Sequence, residues 1–193
     1  MAKFFVTNDS SLYKRIKSII EQSPFEINAD YEFDGIYAIT VHKLQVNNNN
    51  FLSKERDFII QTGTCVYNEK SGESALNEAL DCFDGDVQKH REDYIGNFGC
   101  FIKKNDRMVA FNEGAGFYDI FHYYEKGVWL YYSAIQPGVW RYAASSDPGD
   151  LRCAGNARRV SVCHRCHSVR GGRIPDRRLR CGKCEYMEGA GKK

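Results

Sequence analysis

No stretch of this 193-residue chain approaches the ~20 consecutive apolar residues that a membrane-spanning helix needs, and no basic flank leading into an apolar run stands at its N-terminus. A soluble, cytoplasmic protein with no membrane partner is the expectation. The 8 cysteines are not spread through the chain as they are in a secreted disulfide scaffold; five fall in the last 41 residues. The other three, Cys65, Cys82 and Cys100, stand among apolar neighbours and read as buried thiols. Aromatic residues are missing between Arg152 and Cys184, which removes from that segment the stacking platform that single-stranded nucleic acid uses.

The net charge of +2 conceals a division. Residues 1–147 hold 15 Lys and Arg against 21 Asp and Glu, a net of −6, and residues 148–193 hold 12 against 4, a net of +8. Lysine outnumbers arginine ten to five in the first part, and arginine outnumbers lysine nine to three in the second. The small, polar stretch Ala143-Ala144-Ser145-Ser146-Asp147-Pro148-Gly149 suits a linker. The expected organisation is therefore an α+β domain over 1–142, a linker over 143–150 and a basic tail over 151–193. A fusion would produce the same jump in composition; the ordered cysteine spacing of the tail favours a native module.

In the first part, Lys3–Val6 reads as a strand and Asn8–Ser11 supplies helix-capping side chains. Leu12, Ile16, Ile19 and Ile20 then fall on one helical stripe that Pro24 ends. Phe33–Val41 and Asp57–Thr62 have strand composition, and Asn47–Asn50 between them reads as a loop tip with no apolar face. Ser74–Phe83 returns to helical spacing and is closed by Asp84-Gly85-Asp86. Four strands are predicted after it, Tyr94–Ile102, Met108–Asn112, Ile120–Tyr124 and Val128–Ser133, with hairpin turns at Lys104-Asn105-Asp106 and Glu125-Lys126-Gly127. The aromatic run from Phe117 to Tyr132 reads as strand packing, since rings are favoured in half-buried strands.

Tyr94-Ile95-Gly96-Asn97-Phe98-Gly99-Cys100-Phe101 looks like the "L-x-G-x-F-A" strand of class II glutamine amidotransferases and asparagine synthetases. Asn112–His122, with Gly116 in register, is similar to their "R-D-x-x-G-x-x-P-L-Y-Y" hairpin. Asn112-Glu113 stands for Arg-Asp, Asp119-Ile120 for Pro-Leu and Phe121-His122 for the two tyrosines. The resemblance, carried by roughly 40 residues and by element order, implies a four-layer αββα sandwich of the N-terminal-nucleophile (Ntn) hydrolase type. It also implies chemistry that this sequence does not supply. The family's nucleophile is a cysteine exposed when Met1 is removed, where its own α-amine can act as base, and position 2 here is Ala2. Thr62-Gly63-Thr64-Cys65-Val66-Tyr67-Asn68 stands where the family's Asn-Gly oxyanion element belongs, and the Gly-rich synthetase signature is absent.

No other catalytic set stands out. His42, His90 and His122 are isolated in sequence and read as surface or core residues. Asp84 and Asp86 lack the spaced carboxylates and terminal glutamate of a calcium loop and read as a helix stop.

In the tail, Cys163-His164-Arg165-Cys166 and Cys181-Gly182-Lys183-Cys184 are two C-x-x-C knuckles. Each brings two thiolates to one ion, and the pair completes the tetrahedron zinc prefers. A zinc ribbon held by Cys163, Cys166, Cys181 and Cys184 is the expectation, with His164, His167 and Cys153 as substitute ligands and a redox pair or two disulfides as the alternative. The metal would replace a core that so few aliphatic residues cannot build. Nine arginines in the tail, among them Arg170, Arg173, Arg177, Arg178 and Arg180, give a positive surface for a protein partner or for weak phosphate contacts. Together these features lead to a non-catalytic accessory protein, an amidotransferase-like scaffold whose zinc-stabilised module docks a partner such as a synthetase-type enzyme. A nucleic-acid-binding adaptor and an enzyme with an unrecognised site are the alternatives.

Overall fold

The computed structural model describes residues 3–43, 49–113, 118–133, 158–160 and 187–188. The linker over 143–150, the cysteines Cys163, Cys166, Cys181 and Cys184 and the arginines Arg170, Arg173, Arg177, Arg178 and Arg180 lie outside the described residues, as do Ala2 and Gly116.

The chain opens with strand β1 (Lys3–Thr7) and helix α1 (Ser10–Glu21). Asp9 caps the helix by accepting the Leu12 amide at 2.6 Å, which satisfies one of the free amides of the first turn. Tyr13, Ile16 and Ile20 form the buried stripe. Strand β2 (Phe25–Phe33) and strand β3 (Ile36–Lys43) form a hairpin. Its two turn residues, Asp34 and Gly35, have φ of 50° and 74°, the left-handed pair a tight hairpin turn needs. The predicted strand Phe33–Val41 thus begins three residues late, and a whole strand precedes the turn.

Strand β4 (Phe51–Lys54) pairs with the long strand β5 (Asp57–Tyr67). Asn50, expected at an exposed loop tip, is buried, because its side-chain oxygen accepts from Thr40 at 3.0 Å and also from Asn28. Helix α2 (Gly72–Cys82) begins two residues before the predicted Ser74 and ends one before the predicted Phe83. Asp86 then starts helix α3 (Val87–Glu92), accepting the amides of Gln88 and Lys89 at 3.0 and 3.1 Å. Strands β6 (Tyr94–Lys104), β7 (Arg107–Asn112), β8 (Ile120–Glu125) and β9 (Val128–Ser133) match the four expected strands to within two residues. Two short strands, β10 (Arg158–Val160) and β11 (Met187–Glu188), come from the C-terminal part.

The strands form two antiparallel sheets in a mixed α+β fold. One runs β10-β8-β9-β1-β3-β2 and the other β11-β7-β6-β5-β4. Alternation along the strands divides their side chains between two faces. Phe4, Val6, Ala38, Ile120, Trp129 and Tyr131 of the first sheet pack against Phe58, Ile60, Phe101 and Met108 of the second. The opposite face of the first sheet, with Phe5, Ile39, Val41, Leu130 and Tyr132, receives Tyr13, Ile16 and Ile20 of α1. The opposite face of the second, with Ile59, Tyr67, Phe98, Cys100, Ile102 and Phe111, receives Ala75, Leu76, Ala79 and Leu80 of α2, then Phe83 and Val87. The expected packing of the aromatic run holds for Tyr118, Trp129, Tyr131 and Tyr132, which are buried, whereas Tyr124 is 56% exposed. No helix among the described residues is long and apolar enough to cross a membrane.

Phe101 stands at the middle of the contact between the sheets, stacked on Phe58 at 5.7 Å and flanked by Tyr131 at 5.3 Å and Phe4 at 6.3 Å. Phe101→Ala should destabilise the fold by about 3–5 kcal/mol, since the fully buried ring leaves a cavity between two sheets that cannot both relax. Tyr124→Ala should change stability by no more than about 0.5 kcal/mol. Denaturant unfolding of the two variants beside the parent chain measures the difference.

Candidate functional site

The head of β1 opens on a compact set of polar groups drawn from five strands and the turn before β8. The Phe4 amide donates to Ser133 Oγ at 3.0 Å, a bond joining the start of β1 to the end of β9. The Lys3 ammonium lies 5.7 Å from the centre of the Tyr118 ring, close enough for a cation–π attraction. Burial lowers its pKa, and the nearby Asp119 carboxylate partly restores it.

Tyr118 is the centre of this set. Its ring covers Gly99 of β6 so closely that a β-carbon there would stand 2.6 Å from a ring carbon. Asn112 and Glu113 hold its main chain from both sides. Asn112 Nδ2 donates to the Tyr118 carbonyl at 2.6 Å, and the Tyr118 amide donates to Glu113 Oε1 at 2.6 Å. Burial pushes the Tyr118 phenol pKa up, hydrogen bonds with the side chains of Thr62 and Ser133 oppose the rise, and the Glu113 charge adds to it. Thr62 in turn donates to the Gly99 carbonyl at 3.2 Å. Glu113 is only 8% exposed, and its second oxygen has no hydrogen-bond partner among the described residues.

Beyond Thr62 the β5–β6 ladder carries two glycines with positive φ, Gly63 at 96° and Gly96 at 130°. A β-carbon on Gly63 would run into the Asn97 carbonyl, and one on Gly96 into the Thr64 carbonyl. The two strands approach too closely there for any other residue. This is where the sequence looked for an oxyanion element. The structure places Thr62 and Gly63 opposite Gly99 and Phe98 in the ladder, with the Thr62 hydroxyl already bonded to Gly99.

A second polar set is buried under α2 and α3. His90 Nδ1 lies 3.2 Å from the Tyr67 hydroxyl, which is 3.4 Å from Asp93 Oδ2. Four rings surround the imidazole: Tyr67, Phe83, Tyr94 and Phe111. His90 is 4% exposed. Burial lowers its pKa to about 4, against the opposing pull of Asp93 and Asp84 and with a small further lowering from Lys104. His90 is therefore a core residue, the buried one of the two placements the sequence expected, and its Nε2 has no hydrogen-bond partner among the described residues. His42 and His122 are likewise core-side residues: His42 is near Glu26 at 3.5 Å, and His122 stacks on Tyr131 at 4.5 Å.

Three cysteines are described. Cys100 is buried, and burial raises its thiol pKa; burial also pushes Cys65 up to about 11. Neither offers a thiolate near neutral pH. Cys82 departs from the expectation of a buried thiol and is exposed, because it is the last residue of α2 and stands away from the apolar stripe. Asp84 and Asp86 act as the predicted helix stop: Asp84 accepts the Asp86 amide at 2.9 Å and Asp86 caps α3. No cluster of three or more metal-ligating side chains occurs among the described residues. What sequence reading missed is the convergence of Lys3, Thr62, Tyr118 and Ser133. Asn112 and Glu113 had drawn notice as departures from a family pattern, and Thr62 as the start of the segment standing where its oxyanion element belongs.

The His90 shift fixes a pH dependence with a definite sign. The unfolded chain takes up a proton near pH 6.5, while the folded chain resists until about pH 4. Protons therefore favour unfolding inside that window, and stability present above pH 6.5 should fall by up to roughly 3 kcal/mol as pH drops through it. Urea unfolding at several pH values should show this slope in the parent chain. His90→Gln, which cannot titrate, should lack that part of it.

Comparison of the whole chain with protein-family models and with curated proteins finds no match to either.

Proposed function

We propose that the chain is a non-catalytic accessory protein, an amidotransferase-like scaffold of the four-layer αββα, N-terminal-nucleophile type that carries a zinc ribbon for docking a protein partner. The layering is supported by the two antiparallel sheets packed face to face, with α1 against one outer face and α2 and α3 against the other. A synthetase-type enzyme is the partner this kinship suggests.

The observation that carries the non-catalytic reading is the position of Tyr118. In this reading the head of β1 is where a nucleophile would act, and there the chain's own ring lies against Gly99, with both sides of its main chain held by Asn112 and Glu113. The hydroxyls of Thr62 and Ser133 are engaged with the same ring's phenol. Groups bound to one another in this way are not aimed at a developing oxyanion, which is what catalysis would require. Ala2 precedes Lys3 and carries no nucleophile.

The zinc assignment is supported by spacing. Four cysteines in two C-x-x-C knuckles suit one tetrahedral ion, and few aliphatic residues surround them. Arg170, Arg173, Arg177, Arg178 and Arg180 would present the positive surface that meets the partner.

Two measurements test this function. A coupled assay should detect no ammonia released from glutamine, either by the parent chain or by Ala2→Cys, because a thiol alone restores no oxyanion donors, each worth about 3 kcal/mol. Turnover by the parent chain would overturn the proposal. Elemental analysis should find about one zinc per chain, and Cys181→Ala should abolish it while the unfolding transition of the α+β fold persists. Metal-free protein after reducing purification would remove the zinc ribbon from the proposal.

A further inference from the structure

The end of the sandwich away from the head of β1 carries a cation that packing alone does not account for. Lys103 of β6 stands opposite Phe58 of β5 and Met108 of β7, and alternation from Phe101 places it on the inner face of its sheet. It is 5% exposed. Its ammonium donates to the Arg56 carbonyl at 2.6 Å, which uses one of three donors. Apolar neighbours explain the burial of the long stem. They do not explain a charge held out of solvent, which is costly unless an opposite charge is supplied. None is supplied among the described residues, where Lys103 makes no ion pair.

The residues beside it continue the pattern. Arg56, in the turn between β4 and β5, has its guanidinium 5.9 Å from the centre of the Phe33 ring and no ion pair among the described residues. Phe33, the last residue of β2, is 36% exposed. Two residues before it, the Tyr31 ring lies 6.5 Å from Phe33 and 5.0 Å from Phe58, the residue opposite Lys103 in the ladder. The Tyr31 hydroxyl is buried and has no hydrogen-bond partner among the described residues. Neighbours thus run in a closed circuit from Lys103 through Arg56, Phe33, Tyr31 and Phe58 back to Lys103. The carboxylate of Asp57 accepts the Asn105 amide at 3.1 Å and pairs with neither cation. Burial raises the Tyr31 pKa and the Asp57 charge adds to it, so the hydroxyl keeps its proton and can donate.

We propose that this circuit is a phosphate-binding site, in which one phosphate dianion takes the remaining donors of Lys103, the guanidinium of Arg56 and the hydroxyl of Tyr31. Two cations without carboxylates call for a double negative charge. A phosphate group carries about −1.5 to −2 at neutral pH and has oxygens enough for several donors, whereas a carboxylate brings one charge and two oxygens. The fork of an arginine matches the geometry of phosphate, and a lysine adds a point charge. The exposed part of the Phe33 ring offers an apolar surface to whatever small group the phosphate carries. This site lies at the opposite end of the sandwich from Tyr118, and it stands or falls independently of the amidotransferase-like reading.

The test uses the full chain and follows backbone amide shifts by two-dimensional NMR while inorganic phosphate is titrated at constant ionic strength. The pH is held at about 7.5, where phosphate is chiefly the dianion. The amides of Arg56, Asp57, Lys103 and Lys104 should shift together and half-saturate at or below about 10 mM. Acetate at the same ionic strength should bind at least tenfold more weakly. Arg56→Gln, and Lys103→Met, which keeps the volume of the stem, should each weaken phosphate at least tenfold. Lys54→Gln, which removes a lysine already paired with Asp81 at 2.6 Å, should leave it unchanged. Arg56 is exposed, so Arg56→Gln decides the matter even where Lys103→Met fails to fold. Shifts confined to residues 148–193 overturn the proposal, since they place the phosphate on the basic tail. So do the absence of saturation by about 100 mM, an equal response to acetate, and an unchanged affinity in Arg56→Gln.

Discussion

The contact between the inner faces of the two sheets governs the rest of this structure. Phe58 and Phe101 stack there, Phe4 and Tyr131 close over them, and every residue of this group is buried. A sheet that covers one face in this way has a second face left, and α1 on one side and α2 with α3 on the other meet that need. Central strands are then enclosed on both faces and read as nearly continuous apolar runs, as in Phe4-Phe5-Val6 and Phe58-Ile59-Ile60. The edge strands β2 and β4 are less enclosed, with Ile27, Tyr31, Phe51 and Leu52 only partly buried against the clusters, and they read as alternation or as short fragments.

That difference explains what was legible in the sequence. Strands β1, β6, β7, β8 and β9 and helices α1 and α2 carry enough apolar residues at one period to be placed within two or three residues. Strand β2 was missed although Phe25-Glu26-Ile27-Asn28-Ala29-Asp30-Tyr31 alternates plainly. Its acidic residues lowered its apparent strand character, and no rule of composition shows that a sheet edge is where they belong. Strand β4 and helix α3 have four and six residues, too few for a period to declare itself. The burial of Asn50 was not legible because its value lies in partners 10 and 22 residues away, Thr40 and Asn28.

The candidate site was legible only as a pattern of departures. Asn112 and Glu113 were seen to replace a family's Arg-Asp, yet their task is to hold the main chain of Tyr118, which no spacing reveals. Lys3, Thr62 and Ser133 come together from positions up to 130 residues apart, through the order of strands in two different sheets. The four-cysteine spacing is local, so the expectation of a zinc ribbon needs no fold to be drawn, and the four cysteines lie outside the described residues.

A further consequence concerns how a fold of this kind tolerates polar groups inside it. Burying a hydroxyl or amide without a partner costs more than a made bond returns, and most of the buried polar side chains here are matched. Thr7 donates to the Trp129 carbonyl at 2.6 Å, Gln61 to the Tyr94 hydroxyl at 2.7 Å and Lys103 to the Arg56 carbonyl at 2.6 Å. The first of these ties β1 to β9, and the other two lie within the second sheet. Tyr118 obeys the same rule, since its phenol, amide and carbonyl are each engaged, whereas Glu113 Oε2 beside it has no hydrogen-bond partner among the described residues. Catalytic sites tend to break this rule, leaving donors free for a transition state at some expense in stability. At the head of β1 the amide, carbonyl and phenol of Tyr118 are met by the chain's own groups, and the proposed non-catalytic role rests on that arrangement.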